Sequence, residues 1–344
     1  MPMLKQQMEY GAVFAKVMAM YGKMLKDEDW RRLCECKSVS EICAIMRSHK
    51  GWSKVMSEIP PTPTTKMLEM AVHRMVYEDY EKLYKFLQIE DKKYLRFFLY
   101  RAEYDFILEA LKEKSSVSPL PKTLELTDYM KKNSSVDIDA LEHSRYFTEI
   151  LNAVKDSIYY KPLAGLKLNP ETGKPSYWEA GVALENAYYK AIFSYLSRQY
   201  KGIGREKLKD TLGLEADLIN ITGIIRIQRS FRSSLDEADG LLIPITYHLK
   251  PELINALLEA KSEAETLDIL RRSPFGKHLE GADTGRIESI FYNSMEKFCR
   301  KLLRTAGADV SVPQAYLVLK ELECKKLSRV IEAVSVGVDP KNVI

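Results

Sequence analysis

The chain has 344 residues, beyond the roughly 250–300 at which one hydrophobic core stops growing, so more than one domain is expected. Hydrophobic residues make up 46% and charged residues 29%, which excludes an intrinsically disordered chain, and only 14 prolines and 16 glycines argue against an all-β design. Net charge is +4, spread as +3 over residues 1–115, +3 over 116–235 and −2 over 236–344, so no basic tail of the nucleic-acid-binding kind is present.

In chain order, residues 1–9 carry neither an apolar signal core nor an Arg/Ser-rich leader, and export or organelle import is not expected. Asp27-Glu-Asp29 reads as a helix start, where acids favour the helix dipole. Ser38 and Ser40 follow as capping residues, with Glu41 three after Ser38 as in a capping box. Pro60-Pro-Thr-Pro63 is a loop. Leu68, Val72, Met75, Val76, Tyr80, Leu83, Tyr84 and Leu87 then place an apolar stripe on one face of a long helix. A break is expected at Gln88–Asp91, and a second helix carries Glu103, Ile107 and Leu111.

Ser115–Pro121 and Leu166–Pro175 read as linkers or loop tips. Ser176–Tyr200 is expected as the next long helix, with Trp178, Leu184, Tyr188, Ile192 and Leu196 on its apolar face. Lys201-Gly-Ile-Gly204 breaks it before a helix carrying Asp217, Ile221 and Ile225. Asp236-Glu-Ala-Asp239 is a further expected helix start. A third long helix bears Ile287, Ile290, Phe291, Ser294, Phe298 and Leu302, stops at Ala306-Gly307, and is followed by Glu323, Leu327 and Ile331.

These elements repeat. A shift of 224 residues lays Glu28–Trp52 on Glu252–Gly276 without a gap, with identities at Glu28/Glu252, Leu33/Leu257, Glu35/Glu259, Lys37/Lys261, Ser38/Ser262, Glu41/Glu265 and Arg47/Arg271. Tyr77, Glu81, Lys82 and Leu87 fall on Tyr292, Glu296, Lys297 and Leu302. The acid followed by apolar residues four and eight later occurs three times, at Glu103, Asp217 and Glu323. Asp139-Ala-Leu-Glu-His-Ser144, with Phe147, Ile150, Leu151 and Val154, fits as a looser middle copy. The expected organisation is therefore all-α, in three related helical domains over residues 1–114, 115–234 and 235–344.

Catalytic chemistry finds no support. Cys34, Cys36, Cys43 and His49 do not make a metal site, because residues two apart on a helix point about 200° from one another. Core packing is the reading for these cysteines, and with Cys299 and Cys324 the odd, sparse set fits a reducing cytoplasm. The histidines are scattered, Gly202-Ile-Gly204 lacks the third glycine of a dinucleotide fingerprint, and no phosphate-binding Gly-Lys-Ser/Thr loop occurs. The longest stretches without a charged residue, Gly240–Leu249 and Val310–Leu319, are too short for a membrane span of about 20 residues. The tyrosines on the apolar stripes, Tyr77, Tyr80, Tyr84 and Tyr188, are expected to pack in the core.

The segment Pro313-Gln-Ala-Tyr316-Leu-Val-Leu-Lys320-Glu321-Leu-Glu323-Cys-Lys-Lys-Leu327-Ser-Arg329-Val-Ile331 resembles the closing helix of the C/d subunit family of V-type and archaeal A-type rotary ATPases. Glu9-Tyr10-Gly-Ala-Val-Phe-Ala15-Lys16 resembles the opening helix of that family, with Lys16 where an arginine is usual. Asp217, Asn220, Ile221 and Arg226 resemble its middle-domain helix, and Leu270-Arg-Arg-Ser273-Pro274-Phe275-Gly276 its Leu-x-x-Ser-Pro turn. The resemblance implies a funnel of three helical domains with pseudo-threefold symmetry. It implies a non-catalytic central-stalk part with no cofactor, no small-molecule substrate and no nucleic acid. Its partners would be the central shaft subunits and the proteolipid ring, at the cytoplasmic face of the membrane, in an ATP-driven pump or synthase for H+ or Na+. Arg226, Arg229 and Arg232, three residues apart on one helix, are the candidate contact with shaft or ring, a solvated face being the other reading. A helical scaffold of another complex is the alternative.

Overall fold

The computed structural model describes residues 2–87, 89–112, 126–199, 203–230, 242–280 and 287–342. Seventeen α-helices, a 3-10 helix at Pro340–Asn342 and one isolated antiparallel bridge, Leu168 to Pro175, make up the regular structure of those residues, and none of them forms a sheet. The all-α expectation holds. Contacts group the chain into two compact units, whose boundary runs inside one helix between Leu95 and Arg96.

The first unit combines residues 1–95 and 113–133 with 305–344. It holds α1 (Pro2–Tyr21), α2 (Asp27–Cys34), α3 (Val39–Ser48), α4 (Ser53–Ser57), α5 (Thr65–Tyr84) and the first residues of α6 (Ile89–Leu111). It also holds α7 (Asp128–Asn133) and, from the far end of the chain, α17 (Ser311–Ser335). α17 packs against α5, α1 and α3, and seventeen of its 25 residues are buried, so its neighbours surround it on nearly every face. The apolar stripe of α5 is the other half of this core: Leu68, Val72, Met75, Val76, Tyr80 and Leu83 are all buried.

The second unit comprises residues 96–112 and 134–304. It contains α8 (Ile138–His143), α9 (Phe147–Ala153), α10 (Tyr160–Ala164), α11 (Tyr177–Gln199) and α12 (Ile203–Ser230). α13 (Pro251–Glu259), α14 (Glu263–Arg272), α15 (Gly276–Leu279) and α16 (Ile287–Thr305) complete it. On α11, Leu184, Tyr188, Ile192 and Leu196 are buried as the spacing requires, but Trp178 is not. It lies in the first turn of the helix, and 40% of its surface is exposed. On α16 the core positions are Ile290, Met295, Cys299 and Leu302, whereas Phe291 and Phe298 are half-buried at the edge.

The repeated capping signals are realised in matching geometry. The Ser38 hydroxyl accepts from Glu41 N–H at 3.2 Å while the Glu41 carboxylate accepts from Lys37 N–H at 2.9 Å. In the copy 224 residues on, Ser262 accepts from Glu265 N–H at 3.2 Å and Glu265 from Lys261 N–H at 2.8 Å. In the middle copy Glu149 accepts from Arg145 N–H at 2.6 Å, although Tyr146 replaces the serine. Ser40 lies inside α3 rather than capping it. Asp27 opens α2 as expected, while Asp236–Asp239 and Ser115–Pro121 lie outside the described residues.

The Leu-x-x-Ser-Pro turn is closed by Ser273, whose hydroxyl donates to the Leu270 carbonyl at 2.7 Å and accepts from Phe275 N–H at 3.1 Å. Gly276 follows because a side chain there would collide with the Arg271 carbonyl oxygen.

Candidate functional site

The three recurrent acids are the most deeply placed charged groups with a common role. Glu103 and Asp217 are fully buried and Glu323 is 5% exposed, each on the core side of a long helix. The apolar partners four and eight residues later, Ile107 and Leu111, Ile221 and Ile225, and Leu327 and Ile331, are buried too.

Each carboxylate accepts at least one backbone N–H from a segment that leads into a short helix. Glu103 accepts from Ser135 N–H at 2.6 Å and from the hydroxyls of Ser134 and Ser135 at 3.0 and 2.8 Å, three residues before α8 begins. Asp217 accepts from the N–H groups of Tyr247, His248 and Leu249 at 3.0, 2.6 and 3.1 Å, two residues before α13. Glu323 accepts from Leu25 N–H at 2.7 Å, two residues before α2. A buried peptide group must find a partner or forfeit its hydration, so each acid fixes the direction in which the chain enters the next helix.

The third of these bonds joins residues 298 apart in sequence, α17 to the segment before α2. Around it lies a buried polar network. Lys320 is 2% exposed, donates to Glu323 at 2.6 Å and sits 4.1 Å from the centroid of the Trp52 ring, whose Nε1–H donates to the same carboxylate at 3.2 Å. One turn earlier on α17, the Tyr316 hydroxyl donates to Asp79 at 2.5 Å, and Lys82 donates to the other oxygen of Asp79 at 2.9 Å. Burial is the largest influence on Asp217 and Glu103 and carries both carboxyls above their ordinary range, with the hydrogen bonds acting in the opposite direction.

Two further side chains of α12 hold the chain around α13, as Asp217 does. Asn220 donates to the Ile243 carbonyl at 3.0 Å and accepts from Ile243 N–H at 2.8 Å. Gln228 donates to the Leu257 carbonyl and accepts from Thr266, both at 2.8 Å, which ties α12 to α13 and α14.

Arg226 lies on the exposed side of α12. The side chain of Arg229 and the whole of Arg232 fall outside the described residues, so the arginine stripe remains an expectation at two of its three positions. Lys16, at the position where the family resemblance has an arginine, lies 5.4 Å from the centroid of the Phe86 ring.

A cleft of about 510 Å³ in the first unit is lined by Lys54, Arg74 and Lys82 around Glu78, with nitrogen–oxygen separations of 3.7, 3.5 and 3.8 Å. Three of its cations thus converge on one acid. The five cysteines are buried and free; burial pushes the Cys36 thiol up to about 11 and raises the other four as well, which keeps them protonated. Among the described residues, no group of His, Cys, Asp and Glu is arranged to hold a metal ion, and no helix is long and apolar enough to cross a membrane.

His278 gives the molecule a pH dependence. Burial, followed by Lys277, His248 and Lys297, pushes its imidazole down to about 4 from the ordinary 6.5. The unfolded chain therefore takes up this proton first, and stability present above about 6.5 is lost as pH falls toward about 4. His278→Gln is expected to flatten that acid limb in urea denaturation at about pH 7 against about pH 5. Part of the slope should persist, because burial lowers His73 in the same direction.

The family description "ATP synthase (C/AC39) subunit" matches residues 13–343. The C subunit of the A-type ATP synthase of Pyrococcus abyssi is 23% identical over 338 residues, covering 96% of this chain and 87% of that protein. The protein of the same description from Thermococcus kodakarensis is 22% identical over 338 residues, covering 95% of this chain and 87% of that protein. That from Methanosphaera stadtmanae is 22% identical over 328 residues, covering 91% and 80%.

Proposed function

Because the chain belongs to the ATP synthase (C/AC39) subunit family, whose members are structural and not themselves catalytic, we propose that it is a central-stalk rotor subunit of a V-type/A-type rotary ATPase. In this reading it links the central shaft to the proteolipid ring at the cytoplasmic face of the membrane, held there by protein contacts. It transmits torque for ATP-coupled H+ or Na+ transport. The three repeats, residues 1–114, 115–234 and 235–344, form a funnel with pseudo-threefold symmetry, and Arg226, Arg229 and Arg232 contribute to the shaft or ring contact.

The observation that carries the proposal is the full-length family match. The recurrent buried carboxylates support it on physical grounds. A part that transmits torque must resist bending between its helices, and charge-assisted hydrogen bonds from a helix core to the next helix entry supply that resistance. Long helices alone would resist bending along their axes but would still pivot at the loops.

Mild detergent extraction followed by affinity isolation of the tagged native protein tests the reading. The ATPase head subunits and the proteolipid should co-purify at fixed stoichiometry. Recovery of the chain without them, or with the subunits of a different assembly, would replace the rotor reading by the scaffold alternative.

A further inference from the structure

Large apolar side chains stand exposed together in one short stretch of the second unit. Tyr160, Leu168, Tyr177 and Trp178 are 39, 46, 45 and 40% exposed. All four belong to a single local arrangement. α10, which begins at Tyr160, packs against α11, which begins at Tyr177, and the bridge between Leu168 and Pro175 brings the intervening hairpin back to the start of α11. The hairpin is shaped rather than slack: Asn169 N–H donates to the Lys174 carbonyl at 2.8 Å, the Asn169 side chain accepts from Glu171 N–H at 2.8 Å, and Gly173 takes φ +65°. Every residue from Lys167 to Gly173 is exposed, so the hairpin projects from the surface.

The stretch that carries these side chains is basic in sequence. Between Tyr160 and Trp178 lie Lys161, Lys167 and Lys174 against one acid, Glu171. None of the three lysines is in an ion pair with a described residue. Glu179, just beyond, lies in the first turn of α11, where the N–H groups of the helix offset its charge.

We infer that this hairpin and the adjoining start of α11 form a contact with the anionic headgroup surface of a bilayer. Tyrosine and tryptophan seat their rings at the headgroup level of membranes, and lysine reaches phosphate while its stem lies on the apolar side. The cores of protein interfaces share the aromatic residues but are depleted in lysine, which sets this composition apart from a protein-docking patch. Three lysines against one acid complement an anionic surface, and the ring edges and Leu168 supply the shallow apolar insertion. The inference concerns a lipid contact in addition to protein contacts and does not depend on the stalk reading.

The test is sedimentation of the full-length chain with vesicles of phosphatidylglycerol and phosphatidylcholine mixed, and of phosphatidylcholine alone. Binding is expected only to the anionic vesicles and should weaken with salt. Each exposed lysine near such a surface contributes about a fivefold factor, so Lys161→Gln with Lys167→Gln should weaken binding about 25-fold. Trp178→Ala should weaken it further without restoring any salt-insensitive binding. All of these positions are exposed, and far-ultraviolet circular dichroism of the variants should match the parent chain. Equal, weak binding to both vesicle types would overturn the inference, as would unchanged binding by the variants. A photo-crosslinker at position 177 in native membranes that captures a polypeptide instead of lipid would overturn it as well. Loss of the vesicle contact with intact co-purification of the ATPase head would leave the stalk reading standing; the reverse pattern would separate the two in the other direction.

Discussion

Glu323→Ala is expected to destabilise the first unit by about 3–5 kcal/mol, the range for removing one partner of a buried ion pair. The substitution leaves the Lys320 ammonium buried at 2% exposure with no carboxylate and strips the acceptor from Leu25 N–H and Trp52 Nε1–H. Lys320→Met alone should cost less, because the acid keeps its two N–H donors and the methionine fills the space over the Trp52 ring. Lys320→Met combined with Glu323→Leu should recover part of the Glu323→Ala loss, and only part, since no carbon side chain satisfies the two donors. The chain has three tryptophans, of which Trp30 and Trp52 lie in the first unit and Trp178 in the second. Urea denaturation followed by tryptophan fluorescence in a Trp178→Phe background therefore reads this unit alone. With Glu323→Leu and Lys320→Met as the single variants, a double-variant cost equal to their sum would show that the buried pair does not act as one.

This network also marks the limit of what sequence alone conveys. Helix positions were legible, since apolar spacing needs only local sequence: the stripe from Leu68 to Leu83 and the capping pairs Ser38–Glu41 and Ser262–Glu265 all form as their spacing demands. The recurrence of Glu103, Asp217 and Glu323 was visible as well. What they bind was not, because Leu25, Ser135 and Tyr247–Leu249 contribute backbone N–H groups, which every residue here possesses and no side chain announces. The usable signal was an acid standing inside an otherwise apolar stripe, a position that costs too much to be occupied without several donors. Lys320 belongs to the same class, a lysine that looks solvated in sequence and is buried against Trp52. Trp178 shows the opposite error: periodicity assigns a residue to a face, but whether another element covers that face at that turn depends on tertiary packing, and Trp178 is 40% exposed.

Asp217→Ala is expected to be the second most costly change, at about 3 kcal/mol or more. It orphans three consecutive N–H groups at Tyr247, His248 and Leu249, and each unsatisfied buried donor costs about 1–3 kcal/mol before the segment relaxes toward water. Relaxation is restricted here. Pro251 fixes the first residue of α13, and Asn220 holds Ile243 on the other side of the segment through two hydrogen bonds. Asp217→Asn separates charge and geometry from packing, because the amide keeps the shape and one acceptor oxygen but turns an N–H group toward the remaining donors. Its cost should be roughly half that of the alanine variant. Amide hydrogen exchange gives the site-specific readout: protection at His248 and Leu249 should fall in both variants, while protection at Gln228's partners in α13 and α14 should fall in the alanine variant alone. Uniform loss of protection across the second unit would mean that Asp217 holds the whole fold rather than the entry to α13. Unchanged protection at His248 would show that the carboxylate contributes nothing to holding that entry.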